Sequence, residues 1–216
     1  MDPQQRLTLR HAAEALRTRP CVDAQSLTCG VFIGAATNDY KSLVIDAGVF
    51  ESPFVSTGCA FISVIAGRIS YTLDLSGPSL SIDTACSSGL CATHFAHEDK
   101  SSTIRIIGSV NSLLDANSSF MFAQAGMLAA DGRCKTLDAS ADGYARAEAC
   151  AVVVIVRDST MTNIGVVAVD GSAVNQDGRS SSLTAPNGPA QARVIRASAA
   201  KSGVSRTISS LHGTGT

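Results

Sequence analysis

The sequence predicts an α/β protein, and three observations carry that expectation. Short Val- and Ile-rich runs, Val31–Gly34, Thr103–Val110 and Ala151–Val156, have the length of strands and are apolar enough to be buried. Helical stretches alternate with these runs, an order that favours α/β over an all-β sandwich or a helical bundle. The 216 residues, 45% hydrophobic and 16% charged, suffice for one sizeable core or two small ones.

The elements follow in chain order. Gln4 to Arg17 reads as a helix, with Leu7, Leu9, Ala13 and Leu16 at loosely helical spacing. Val31–Gly34 is the first strand. Ser56 to Ile69 is a helical candidate opened by Ser56-Thr57-Gly58. Leu80 to Asp83 reads as a strand that runs into Thr84-Ala85-Cys86-Ser87-Ser88-Gly89, and Leu90 to His97 as the helix that follows. Thr103–Val110, Ala151–Val156 and Ile164–Val169 are further strands. The Gly- and Asp-rich stretch from Ala130 to Ala149 reads as a long ordered loop, a kind that often carries function. Ala190 to Ser202 is an Ala-rich helix with Gly203 as its C-cap residue, and Ser209–Leu211 is expected to end a last, clipped strand.

Composition excludes several classes. A net charge of -1 offers no basic field for nucleic acid or an anionic membrane. No apolar run approaches the roughly 20 residues of a membrane span. The polar opening Met1-Asp2-Pro3-Gln4-Gln5-Arg6 is not a signal peptide, so a cytoplasmic location and free thiols are expected for the seven cysteines. No Cys-x-x-Cys pair is present, and no metal site is expected. A mean hydropathy of +0.19 is high for a free-standing domain and points to surface meant for a partner subunit or for further chain.

Cys86 is the candidate nucleophile. A residue at a strand-to-helix turn is lifted out of the sheet. The helix N-terminus brings N–H groups and partial positive charge beside its sulfur, favouring the reactive thiolate. The same groups can hold an oxyanion during attack on a thioester. Position alone leaves open the alternative that Cys86 is a small buried hydrophobe.

Longer motifs sharpen this. Asp83-Thr84-Ala85-Cys86-Ser87-Ser88 strongly resembles the active-site signature of the β-ketoacyl synthase (ketosynthase) domains of modular polyketide synthases. Met1 to Leu7, Ala125–Leu128, Asp131–Thr136, Asp138–Tyr144, Gly171–Gly178, Leu183–Pro189 and His212-Gly213-Thr214-Gly215-Thr216 resemble further segments of that family, in order. The resemblance implies a thiolase-like fold in αβαβα layers. Residues 1–178 would form most of the N-terminal half, and residues 179–216 the start of a truncated C-terminal half. It implies acyl transfer from an acyl carrier protein to Cys86, then decarboxylative Claisen condensation with a malonyl-type thioester. His212 would assist enolate formation, while Thr184, Thr214 and Thr216 would contact the phosphopantetheine arm. Those threonines are otherwise read as residues that merely shape their turns. No cofactor is implied beyond the carrier's phosphopantetheine. The implied partners are acyl carrier protein, neighbouring synthase domains and, at full length, a second copy.

The resemblance also has breaks. The family's second histidine, its lysine and its Gly/Phe-rich loop are not in the sequence. The connections around Glu98–Thr103 and Asp158–Gly165 look trimmed. Arg146-Ala147-Glu148-Ala149 stands where the family shows Arg-Gly-Glu-Gly, and Leu211 stands beside His212 in place of alanine. These changes support a competing reading, a non-catalytic or acylation-only fragment acting as a dimerisation or decoy module. A thiolase-fold enzyme using coenzyme A thioesters is a third reading, disfavoured by the Thr84–Ser88 and Asp131–Cys134 contexts. A cysteine protease is disfavoured because no protease signature surrounds Cys86. His94, eight residues past Cys86, is expected to be structural, and His97 solvated. Cys91 and Cys134 are expected to pack, and Arg146 with Glu148 to form an ion pair.

Overall fold

A computed structural model describes residues 1–18, 28–48, 53, 58–157, 167–182, 185–202 and 210–214. Among these, strands β1 (Cys29–Gly34), β2 (Ser79–Ile82), β3 (Ile104–Asn111) and β4 (Ala149–Val156) form a sheet in the order β2-β1-β3-β4. β1 runs parallel to β2 and β3, and β4 closes the sheet antiparallel to β3. Helices α1 (Pro3–Arg17) and α3 (Ile65–Thr72) cover one face, and α4 (Ser88–Glu98) covers the other. The remaining helices are α2 (Asp39–Asp46), α5 (Ala116–Gln124) and α6 (Gly188–Ser202).

Strand alternation builds the two cores. On β1, Val31 and Ile33 point to α1 and α3, where they meet Ile65, Ile69, Ile104 and Ile106. Phe32 points the other way, against Ile82, Ala92, Ala96 and Ile107 under α4. All six residues of β1 are buried, as expected for a central parallel strand.

Helix α1 starts where Asp2 accepts the Gln4 N–H at 2.8 Å and Pro3 takes the first turn. Its buried face is largely polar: Gln4, Gln5 and Thr8 with Ala12. Gln4 donates to Thr37 O (2.9 Å) and accepts the Ser112 N–H (3.1 Å). Gln5 donates to Gly58 O and Phe61 O and accepts from Arg68 Nε at 2.6 Å. The helix is therefore pinned by satisfied amides as well as by Leu9 and Leu16, which pack on the core.

The structure corrects several expected boundaries. The helix expected over Ser56–Ile69 runs over Ile65–Thr72, after a short 3-10 turn at Ile62–Val64. An extended Phe61 precedes that turn, and residues 56 and 57 lie outside the described residues. The strand expected at Ile164–Val169 lies partly outside the described residues, and residues 167–169 belong to no strand. Residues 210 and 211 are also outside any strand, while Ser209 lies outside the described residues. The loop between α5 and β4 is as expected, with α2 and α5 as additions.

The turn after α4, which looks trimmed in sequence, is closed tightly. Asp99 Oδ1 accepts the Ser101 N–H (2.8 Å) and hydroxyl (2.7 Å), and Arg157 donates to the carbonyls of Asp99 and Lys100. The other trimmed connection, residues 158–165, lies outside the described residues.

Candidate active site

Strand β2 ends at Ile82, and α4 begins at Ser88, with Ser87 as its N-cap residue. Between them Ala85 has φ 55°, a left-handed conformation that costs a non-glycine residue about 1–2 kcal/mol. A small network holds it there. Asp83 Oδ1 accepts the Ala85 N–H (3.0 Å), and Ser88 Oγ donates to Ala85 O (2.6 Å) while accepting the Thr84 N–H (2.8 Å). Ser87 Oγ donates towards Thr84 O (2.8 Å) and lies 2.9 Å from Thr84 Oγ1. The next residue, Cys86, is thereby turned outward and is exposed.

Two of the expected anion-binding N–H groups are already engaged. The Ser87 N–H bonds Thr84 O and the Ser88 N–H bonds Ala85 O. They brace the corner, so the expectation that the first N–H groups of the helix stand open beside the sulfur is corrected for these two.

Glycines set the corner onto the sheet. A Cβ on Gly34 would lie 2.5 Å from the Ser88 carbonyl carbon, and one on Gly89 would lie 2.8 Å from Ser109 Oγ. The N-terminus of α4 therefore sits flush on the ends of β1 and β3.

The loop from Ala125 to Glu148 frames the thiol. Tyr144 is tied by backbone bonds to Met127 and Ala129. Burial raises its phenol above the usual range, Arg146 opposes that, and a Cys86 thiolate raises it further; Tyr144 thus stands within electrostatic reach of the sulfur. Lys135 draws the loop together through Asp142 (2.6 Å) and Asp131 (3.4 Å). Thr136 donates its hydroxyl to Gly213 O. One loop therefore touches both the Cys86 neighbourhood and the segment that carries His212. The sequence shows Tyr144 and Thr136 only as members of motifs, because nothing local says what they face.

The amino-acid chain matches two family descriptions: "Beta-ketoacyl synthase, N-terminal domain" over residues 1–161 and "Beta-ketoacyl synthase, C-terminal domain" over residues 166–216. It belongs to the β-ketoacyl synthase family. It is 43% identical over its whole length to erythronolide synthase EryA3 of Saccharopolyspora erythraea, spanning 7% of that protein. It is 40% identical to a mycocerosic acid synthase-like polyketide synthase of Mycolicibacterium smegmatis, spanning 11%. Among solved structures it resembles the oxazolomycin ketosynthase domain OzmH KS7 of Streptomyces albus JA3453 (TM-score 0.85, 29% identity), covering all of this chain and 39% of that one. The ketosynthase from module 6 of the bacillaene synthase of Bacillus subtilis 168 matches at TM-score 0.83 and 32% identity, again covering all of this chain and 39% of that one. The thiolase-like fold and the kinship with modular polyketide synthases are thus as the motifs implied.

The ketosynthase motif residues are placed as follows. His212 is exposed, and Thr214 is half-buried beside Gly213. Thr184 and Thr216 lie outside the described residues. Leu211 is 73% exposed and turned to solvent. Ala147 and Ala149 both have negative φ, so replacing the family's glycines there costs no left-handed strain.

Other expectations change. Arg146 and Glu148 do not pair: Arg146 donates to Ser118 and Ser119 and lies over Phe122, while Glu148 accepts the Leu113 N–H at 2.8 Å. Cys91 is half-buried against Thr84, but Cys134 is exposed, its sulfur accepting the Ala145 N–H. His97 is held by Ser172 at 3.1 Å. None of the described cysteines is in a disulfide. Among the described residues no helix is long and apolar enough to cross a membrane, and no cluster of His, Cys, Asp and Glu could hold a metal.

Proposed function

We propose that Cys86 is the acyl-accepting nucleophile of a ketosynthase. The observation that carries this reading is the exposed thiol at a left-handed strand-to-helix corner, in a chain of the β-ketoacyl synthase family. The Cys86 thiolate attacks the thioester carbonyl of an acyl group on a carrier protein's phosphopantetheine. The carbonyl electrons move to oxygen, which the Cys86 backbone N–H helps to hold. Collapse breaks the bond to the pantetheine sulfur, which leaves as a thiol after taking a proton. In the second stage a malonyl-type thioester loses carbon dioxide, and the electrons of the broken C–C bond form an enolate. His212 donates a hydrogen bond to the malonyl thioester carbonyl as that charge develops. The enolate carbon attacks the acyl-enzyme, releasing Cys86 and a β-ketoacyl thioester.

On the same reading Thr184, Thr214 and Thr216 line the pantetheine path, and no metal or further cofactor takes part. The partners are acyl carrier protein, adjoining synthase domains and a second copy of the full-length protein, in the cytoplasm. The first stage uses only groups around Cys86, so acylation can be followed apart from condensation; kinship with the β-ketoacyl synthase family favours the condensing reading over a non-catalytic or acylation-only dimerisation or decoy module.

Incubation with an acyl thioester followed by intact-mass measurement tests the first stage. A single acyl adduct is expected, and it disappears in Cys86→Ala. Absence of an adduct, or its survival in that variant, overturns the assignment. Adding a malonyl thioester then separates the two readings, because only condensation yields the β-ketoacyl product.

A further inference from the structure

The nucleophile helix has a second cluster at its far end. His94 and His97 lie one turn apart on α4, and the Nδ1 of each approaches the same oxygen, Ser172 Oγ, at 2.9 Å and 3.1 Å. His97 Nδ1 also lies 3.6 Å from Glu98 Oε1, and Glu98 accepts from Lys201 of α6 at 2.7 Å. Residue 171 is seated on α6: Ser198 Oγ donates to Gly171 O at 3.1 Å, and a Cβ on Gly171 would lie 2.5 Å from Ser198 O. Asn175 donates to Ala190 O at 2.8 Å. Residues 171–175 and α6 therefore form one unit. That unit belongs to the stretch matching the C-terminal domain, while α4 belongs to the stretch matching the N-terminal domain.

We propose that His94, Ser172 and His97 form a proton-sensitive latch that holds the unit of residues 171–175 and α6 against the nucleophile helix. The hydroxyl of Ser172 has one proton to give. With both imidazoles neutral, one Nδ1–H donates to Oγ, and the Oγ–H donates to the other Nδ1. Adding one proton preserves this arrangement, because the charged ring is the one that donates. The second proton ends it: both rings then only donate, and the hydroxyl proton loses its acceptor. It also sets two imidazolium groups beside the Lys201 ammonium.

The groups acting on His94 are Glu98 and His97 on its own helix and Lys201 on α6. The opposite side of α4 packs on Phe32, Ile82 and Ile107, which carry no charge. Burial is the largest effect on His94 and lowers its proton affinity; Lys201 and His97 act in the same direction, and Glu98 against it. Native His94 thus resists a proton that the unfolded chain accepts. The contribution of the latch is present above the ordinary histidine range and declines as pH falls below it. The histidines act on how α6 lies against the helix that begins beside Cys86.

Hydrogen–deuterium exchange of this chain tests the latch without reference to acylation, so its failure and that of the Cys86 assignment are separable. Corrected for intrinsic exchange, α6 amides are expected to exchange roughly tenfold faster relative to β3 at about pH 5.5 than at about pH 7.5. Ser172→Ala should show the fast α6 exchange at both pH values, with β3 protection retained, and Ser172→Thr should restore the pH response. His97→Gln should flatten the pH response and serves as the deciding variant if Ser172→Ala loses β3 protection. A pH-independent α6 in the wild-type chain, or a pH response that persists in His97→Gln, overturns the latch.

Discussion

The described residues up to 157 and those from 167 to 214 are held together in different ways. In the first region Val31, Ile33, Ile104 and Ile106 are buried at or below 1% exposure in one sheet locked by strand pairing, and Ile69 of α3, equally buried, packs on them. In the second, Ala190 is the one buried residue of α6, and attachment runs through Ser172, Ser198, Asn175 and Lys201. Burial of apolar surface gives cooperative stability that salt and pH barely alter. Polar attachment gives contacts that can be lost singly. The proposed site draws on both regions: Cys86 is fixed by the first, while His212 lies in the second.

The largest effect should come from Ile33→Ala, which empties the centre of the first region. A loss of about 4 kcal/mol in urea unfolding is expected, with both regions losing protection together. Gly34→Ala should cost about 2 kcal/mol, because its Cβ would meet the backbone of Ser88. It should also slow alkylation of Cys86 by iodoacetamide, since the corner must move. Ala85→Gly goes the other way. It relieves the left-handed strain and should stabilise the chain by about 1 kcal/mol, again with slower Cys86 alkylation as the corner loosens. Ile195→Ala, at a 53% exposed position on α6, should change global stability by no more than about 0.5 kcal/mol. A cost comparable to that of Ile33→Ala would abolish the contrast between the two regions.

A spectroscopic prediction sharpens the placement of the thiol. In a Tyr40→Phe, Tyr71→Phe background, ultraviolet titration should show Tyr144 ionising above the ordinary phenol value of 10.0. Cys86→Ala should bring that titration down, because a thiolate no longer opposes the phenolate, while burial keeps it raised. An unmoved titration would show that the sulfur and the phenol are too far apart to interact.

Much of the Cys86 corner is legible in the chain. Asp83 to Ser88 carries small and hydroxyl-bearing residues whose partners lie within four positions, so the motif and its geometry are nearly one statement. Helix α1 was legible in extent but not in its buried face: Gln4 and Gln5 look like surface residues until Thr37, Ser112, Gly58 and Phe61 arrive from elsewhere. Helix α5 is not legible although Asp115 caps it, because a single Asp before Ala-Asn-Ser-Ser reads equally well as loop. Arg146 and Glu148 looked like a pair by proximity, yet each meets a group 27 to 35 residues away.

The α/β class, the central strands and the candidacy of Cys86 can be read from the chain alone, because periodicity and short-range hydrogen bonding are written in neighbouring residues. The three-dimensional arrangement alone reveals that Tyr144 lies within electrostatic reach of Cys86, that Thr136 meets Gly213, and that two histidines share Ser172. Those contacts join residues far apart in the chain, and local propensity has no access to which distant surfaces the folding of the sheet brings together.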